Sequence, residues 1–264
     1  MITATRASLP SATATVARRA VRKFVRTPAL LIGGTATGLM FLLIFRYVFG
    51  GAMSHTGSMS YVDFVAPGFI ITGTLFSAMN AGVGTAEDLQ EGLIDRLRSL
   101  PIPPVSIVSG RVLADTSLGV WSLALTTAVS FAVGFRIHDG IGPALGAFGL
   151  AVLVTFSFSW MFTALGFFAG SAQGAQSLAF LVFPLTFVSS AYVPVSTMPG
   201  WMQSFAAHQP LTDMVNSARI LTQGDAAVAV LGHPLGAYLP GALLWAVAII
   251  LVTVPVSVWR LGRS

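Results

Sequence analysis

The chain has 264 residues, of which 55% are hydrophobic and only 9% charged, and its net charge is +5. A soluble globular domain carries roughly 25% charged residues, and here no Asp, Glu, Lys or Arg occurs between Asp139 and Asp213. These figures exclude a water-facing domain, and the absence of cysteine excludes disulfides and thiolate metal sites.

The chain opens on a Ser-, Thr- and Ala-rich stretch whose first dozen residues read as disordered. An arm up to residue 28 follows the period of an amphipathic helix. Val16, Ala17, Ala20, Val21, Phe24 and Val25 fill one half of the wheel; Arg18, Arg19, Arg22, Lys23 and Arg26 fill the other. That pattern predicts a helix lying in the membrane interface, its cations on lipid head groups. Residues 29–264 then form one transmembrane domain. Spanning a ~30 Å hydrocarbon core takes about 20 apolar residues. Six segments qualify: Ala29–Phe49, Phe64–Ala86, Val112–Phe135, Gly142–Ala169, Ala175–Val195 and Gly236–Trp259. Runs such as Leu39–Phe45 and Leu178–Val188 are apolar on every side, which favours helices over the alternating strands of a barrel. The prediction is an all-α integral membrane protein of six transmembrane helices.

Basic residues set the orientation. With both termini in the cytoplasm, the N-terminal arm, Arg96, Arg98 and Arg111, and Arg260 and Arg263 all lie inside. Only Arg46, Arg136 and Arg219 lie at or beyond the outer side.

The second span has a small-polar face of Thr72, Gly73, Phe76, Ser77, Asn80 and Gly84, and Asn80 is the one asparagine deep in a predicted span. An amide in lipid needs another helix or a water-filled path. Thr72, Phe76, Ser77 and Asn80, with Phe180, Phe183 and Phe187 of the fifth span, are therefore candidate pathway residues. Small-xxx-small steps at Gly34/Gly38, Gly142/Gly146 and Gly166/Gly170/Gly174 suit close helix crossings.

The segment Glu87–Pro101, EDLQEGLIDRLRSLP, holds four of the nine acidic residues. Read as one helix, it sets Leu89, Leu93, Leu97 and Leu100 on one face and Glu87, Asp88, Glu91 and Asp95 opposite. A short acidic amphipathic helix suits a groove on a soluble partner. Between the fifth and sixth spans, Pro194, Pro199 and Pro210 delimit short pieces. Trp201, Met202 and Phe205 predict one outer helix, and Thr212, Asp213 and Gly224 bound a second.

With these motifs in hand, the chain resembles the ABC type-2 permease family, particularly its daunorubicin-resistance-like multidrug exporters. The resemblance rests on FRYVFGG at Phe45–Gly51, YVDFVAPG at Tyr61–Gly68, AEDLQEGLIDRLRSLPIPPVSIVSGRVLAD at Ala86–Asp115, and the VP…PGW…HQP pattern at Val193–Pro210. It implies a permease subunit in the plasma membrane, both termini cytoplasmic, exporting a hydrophobic or amphiphilic drug-like compound. It implies a separate nucleotide-binding subunit that holds ATP and Mg, and a second permease copy or paralogue. By position it makes Glu87, Asp88, Leu89, Glu91, Gly92, Leu93, Arg96, Leu97, Arg98, Leu100 and Pro101 a coupling helix contacting that subunit, and it lines the pathway with the second and fifth spans.

The chain offers no P-loop of its own: that loop needs a lysine beside Gly and Ser/Thr, and the sole lysine, Lys23, sits among arginines. No cofactor, metal site or catalytic residue is expected in this chain, since its four histidines are scattered, and no nucleic-acid partner. Other readings remain: export of a lipid, glycolipid or polysaccharide, and, less favoured, a proton-driven transporter, which needs an ionisable group at membrane depth.

Overall fold

The computed structural model describes residues 8–51, 55–56 and 59–262, and is helical almost throughout. In chain order the helices are α1 (Leu9–Arg26), α2 (Pro28–Ile44), α3 (Tyr61–Gln90), α4 (Leu93–Arg98), α5 (Pro104–Ala132), α6 (Ile141–Phe168), α7 (Ala172–Phe180), α8 (Phe183–Phe187), α9 (Gly200–His208), α10 (Pro210–Gln223), α11 (Asp225–Leu231) and α12 (Leu235–Leu261). Four of them, α3, α5, α6 and α12, are long and apolar enough to cross a membrane. α2 runs into a π-helical turn, Phe45–Phe49. A two-stranded ladder, β1 (His55–Thr56) and β2 (Met59–Ser60), leads into α3, whose first turn is capped by Ser60 accepting from the Asp63 amide at 3.2 Å.

α3 is the axis of the fold. It is buried along nearly its whole length and packs on α2, α5, α6, α7 and α10. In lipid, water does not drive helices together, so close approach depends on small residues and dispersion. α3 and α6 cross with Gly82 and Gly166 at the contact: a Cβ on Gly82 would stand 2.7 Å from the Phe162 carbonyl, and one on Gly166 would strike the Gly82 carbonyl. α2 approaches α3 at Gly38, where a Cβ would lie 3.2 Å from the Gly73 Cα. Of the other small-xxx-small positions, Gly142 and Gly170 have no neighbour in reach and Gly146 makes an ordinary contact with Leu221.

Hydrogen bonds between loops sort the chain into two ends. At one end Arg46 Nε donates to the Val133 carbonyl (3.0 Å), the Arg136 amide to Asp63 (3.0 Å) and Gln223 Nε2 to the Arg136 carbonyl (2.8 Å). At the other, Arg260 Nε donates to the Phe167 carbonyl (3.3 Å) and the Ala172 amide to Gln90 Oε1 (3.3 Å).

The structure departs from the sequence reading at four places. The stretch Ala175–Val195 is broken into α7 and α8, with irregular chain from Val188. Pro184, in the first turn of α8, has no N–H to give the Phe180 carbonyl, so the α7 ladder stops there. Glu87–Pro101 is not one helix either: α3 runs on to Gln90 and stops at Gly92, whose φ of 66° is open to glycine, before α4 begins. α11 is a helix with no counterpart in the reading. At the N-terminus α1 already starts at Leu9; residues 1–7 of the stretch read as disordered lie outside the described residues, as do Arg263, the side chain of Lys23 and the surroundings of Gly34. Helix α1 also lays its apolar face on protein, with Phe24 buried against Ala114 and Leu118 of α5 and Val16 over Gly110.

The α3–α6 crossing gives a direct test. Gly166→Val should lower the thermal midpoint of the detergent-solubilised protein by several degrees or stop it accumulating, since overpacking costs about 1–3 kcal/mol even where side chains can shift. Gly149→Val, on the same helix with nothing within 4 Å, should leave the midpoint within about one degree, because surface changes stay near ±0.5 kcal/mol.

Candidate functional site

Two features meet the predicted site residues: a charged end below α3, and an aromatic seam along its middle.

At the charged end, α5 follows Pro101 and Pro103, opens on Pro104 and carries Arg111 two turns in. Its guanidinium bridges three groups. Nε donates to Asp115 one turn on, at 2.8 Å; Nη1 donates to Asp88, near the end of α3, and to the Gly84 carbonyl at 3.3 Å. Gly84 has no side chain because the guanidinium occupies that space. The Arg111 and Asp88 side chains are only 16% and 15% exposed and Asp115 is 4% exposed. A charge removed from water needs a partner with good geometry, and the arginine fork supplies two. The effect is to clamp the last turns of α3 to α5, immediately before the break at Gly92.

Beyond the break, α4 buries Ile94, the residue the leucine stripe passed over, in a cluster with Ile107, Val108, Val112, Trp160 and Phe167. Leu89 and Leu97 pack at its edge, Leu93 is half-buried, and Leu100 is 50% exposed. Glu87, Glu91, Arg96, Ser99, Leu100 and Pro101 are exposed, and Arg98 faces Asp95 at 3.8 Å on the surface. Of the predicted coupling residues, then, Asp88 and Leu89 belong to α3 and its clamp, Leu93 and Leu97 hold α4 to the bundle, and the remainder present a charged surface. In a chain this poor in charge, that surface is unlike the rest of the bundle.

Five of the seven predicted pathway residues, Thr72, Phe76, Phe180, Phe183 and Phe187, border one seam; no hydrogen bond joins Ser77 or Asn80 across it among the described residues. Phe76 of α3 lies 5.6 Å from Phe183, ring centre to ring centre; Phe183 lies 6.1 Å from Phe180 and 5.2 Å from Phe187. Tyr192 continues the row 5.1 Å from Phe187 and donates to the Thr72 hydroxyl at 3.3 Å. Sequence reading missed Phe41, which touches Phe76, Phe183 and Phe187 at 5.9–6.5 Å, and Phe45, Phe69 and Tyr192 beyond it. The signal was available: Phe41 and Phe45 are one helical turn apart. Phe180 and Phe187 are 54% and 39% exposed. Asn80 is the one exposed residue between Phe64 and Ala86, its amide reaching only the Phe76 and Ser77 carbonyls of its own helix at 3.5 and 3.3 Å. The buried Ser77 hydroxyl has no partner among the described residues. No cluster of three metal-ligating side chains occurs among the described residues.

The family model described as ABC-2 type transporter matches residues 11–222. A daunorubicin resistance ABC transporter permease protein of Streptomyces coeruleorubidus is 33% identical over 84% of this chain and 78% of its own length. A probable doxorubicin resistance ABC transporter permease protein of Mycobacterium tuberculosis is 25% identical over 91% of this chain and 84% of its own. The inner membrane transport permease YadH of Escherichia coli is 26% identical over 76% of this chain and 77% of its own.

The clamp predicts non-additive energetics. Arg111→Met should destabilise the protein more than Asp88→Asn does, and the double variant should be less destabilised than the sum of the two. A double-mutant cycle from unfolding in mixed micelles should return a coupling of about 0.5–3 kcal/mol, as for residues in one ion-pair network.

Proposed function

The chain belongs to the ABC-2 type transporter family, and on that premise we propose that it is the permease subunit of an ATP-driven exporter moving a hydrophobic or amphiphilic compound outward. The observation that carries the proposal is the charged surface of α4 and the α3 end, presented below an otherwise lipid-compatible bundle and tied to its central helix by Arg111.

In this reading six segments cross the plasma membrane: α2 with its π-turn, α3, α5, α6, the α7–α8 segment and α12. The end bearing α1, α4 and the C-terminus is cytoplasmic, a placement the arginine distribution supports, and α9, α10 and α11 form the outer cap. A separate subunit binds ATP and Mg and receives α4 in a cleft; a second permease copy or a paralogue completes the pathway. The drug-resistance names of the similar permeases support a drug-like cargo.

The mechanism follows from how force can travel. Closure of the ATP-binding subunits presses on the exposed face of α4. Gly92 separates α4 from α3 in the backbone, so the load reaches the bundle through the Ile94 cluster and through the α3–α5 clamp. α3 and α5 then shift together relative to the α7–α8 segment, and the aromatic seam between them opens toward alternate sides. The broken segment suits such movement because two short helices re-pack more easily than one continuous rod. A proton-driven mechanism fits less well: Asp115, the carboxylate nearest to membrane depth, is engaged by Arg111.

Gentle extraction from native membranes should recover an ATP-hydrolysing subunit in stoichiometric amounts. Glu91→Lys with Leu97→Asp should abolish its retention while leaving the permease inserted. A permease that purifies alone and moves substrate without ATP would overturn the proposal.

A further inference from the structure

Helix α1 carries two depressions side by side, one basic and one apolar. Arg18, Arg19, Arg22 and Arg26, with Thr15, line the first. All four arginines are exposed, and none has an ion-pair partner among the described residues. No carboxylate lines this depression, and α1 holds none between Leu9 and Arg26. Asp88 and Glu91 lie on the other flank of α1, where they share a cavity wall with Arg19 alone among the four. Arg18, Arg22 and Arg26 are left as an excess of positive charge. The second depression, of about 300 Å³, lies where α1 meets α5 and is lined by Val21, Phe24, Val25, Ser117, Leu118 and Trp121. The Ser117 hydroxyl donates back to the Leu113 carbonyl of its own helix at 2.8 Å, so the slot is almost wholly apolar. Val25 is 66% and Trp121 50% exposed, which leaves the slot open along the outside of the bundle. The two depressions adjoin: Arg18, Val21, Arg22 and Val25 are related by steps of three and four residues, which makes them neighbours on a helix surface.

We propose that α1 and α5 together form a binding site for one anionic phospholipid, its phosphate on Arg18, Arg22 and Arg26 and an acyl chain in the slot between Val25 and Trp121. Each half narrows the choice. Arginines without a carboxylate among them attract a phosphate and repel a cation. A slot without polar groups gains nothing from an inorganic anion or an acidic peptide, whereas an acyl chain covers its walls. Side by side, the two ask for a molecule charged at one end and apolar at the other. The inference goes beyond a helix that rests on lipid head groups, because α5 supplies the second wall and occupancy is therefore saturable. It rests on the membrane placement of the bundle and not on the exporter reading. α1 meets α5 through Phe24 on Ala114 and Leu118. A lipid seated beside that contact braces α1 against the helix that carries Arg111.

The test places the full chain in nanodiscs of phosphatidylcholine with a minor fraction of phosphatidylglycerol whose acyl chains are brominated, bromine being a short-range quencher of tryptophan fluorescence. The Trp121 contribution is the difference between the wild-type chain and Trp121→Phe. Brominated phosphatidylglycerol should quench Trp121 beyond its share of the lipid, and brominated phosphatidylcholine at the same fraction should not. Arg22→Gln with Arg26→Gln should weaken the preference on the order of twentyfold, at roughly fivefold for each arginine removed from an anionic head group. Val25→Asn should weaken it from the apolar side, and Arg96→Gln, exposed but away from α1, should leave it intact. Quenching by brominated phosphatidylcholine should persist in the arginine variants, which a folding defect would not allow. Excess soluble glycerol phosphate should leave the brominated lipid in place. Displacement by glycerol phosphate, a preference undiminished in the double arginine variant, or one undiminished by Trp121→Phe overturns the site. Arginine variants that keep the lipid preference but lose a bound ATP-hydrolysing subunit overturn it too, and assign the stripe to that partner. The expected lipid pattern in a chain that recovers no such subunit upholds the site and sinks the exporter reading instead.

Discussion

The fold hangs on a guanidinium that meets no carboxylate among the described residues. Arg219 of α10 is fully buried, stacked 3.8 Å over the ring of Phe64, with Nε donating to the Phe64 carbonyl at 2.8 Å. Its other nitrogens reach the Ser190 hydroxyl and carbonyl, both at 2.8 Å, the Ala191 carbonyl at 3.4 Å and Asn216 Oδ1 at 2.6 Å. A cation there tolerates burial because every donor direction meets an oxygen or a π-face. In return it satisfies carbonyls that the break after α8 leaves without helical partners. Gln209 does the same one step earlier, donating to the Leu185 carbonyl at 3.0 Å and to that of Val188. The irregular chain at 188–191 is thus tolerable in the interior of the bundle because Gln209 and α10 pair its backbone. The HQP motif has a structural meaning here: its glutamine closes α8 and its proline opens α10.

Arg111 does comparable work at the opposite end by a different route. It bridges two carboxylates and fills the space over Gly84, whereas Arg219 gathers neutral oxygens. Between these two clamps, α3 is held by polar groups at both ends and by close glycine contacts with α6. Its seam with the α7–α8 segment is tied more lightly, by the hydrogen bonds of Tyr192 to Thr72, of Tyr61 to the Tyr192 carbonyl and of the Ala172 amide to Gln90. Aromatic contacts at 5–6.5 Å are adaptable, since offset and tilted rings are close in energy. The distribution of strong and weak contacts therefore assigns rigidity to α3 with α5 and α6, and mobility to the face along Phe76, Phe183 and Phe187.

Much of this was legible in the sequence, for reasons that differ by element. α3, α5, α6 and α12 could be read because lipid imposes a length and a composition on each of them independently. α9 and α10 followed from proline and glycine punctuation. The break at Gly92 was signalled by the glycine itself but overridden by a leucine stripe that looked continuous. The price of that reading was Ile94, which the restarted helix turns inward. The break before Pro184 was hidden by an apolar run that suited a span on every side. Arg219 sat in a segment assigned to the outer surface, where an arginine needs no explanation. What places it in the core is tertiary: Phe64 and Ser190 are 155 and 29 residues removed from it, and no local pattern reports such distances.

The scarcity of charge finally explains where control over the molecule resides. With few ionisable groups in the chain, those placed inside the bundle cannot be incidental, because each must be matched by partners drawn from distant helices. Asp88 and Asp115 are matched by one arginine, and that arginine stands at the junction between the central helix and the segment beyond Gly92. Removing either carboxylate changes the balance for the other, so the orientation of the α3 end depends on the trio as a unit. The exposed charges of α4 lie on the other side of the break and are free of this constraint.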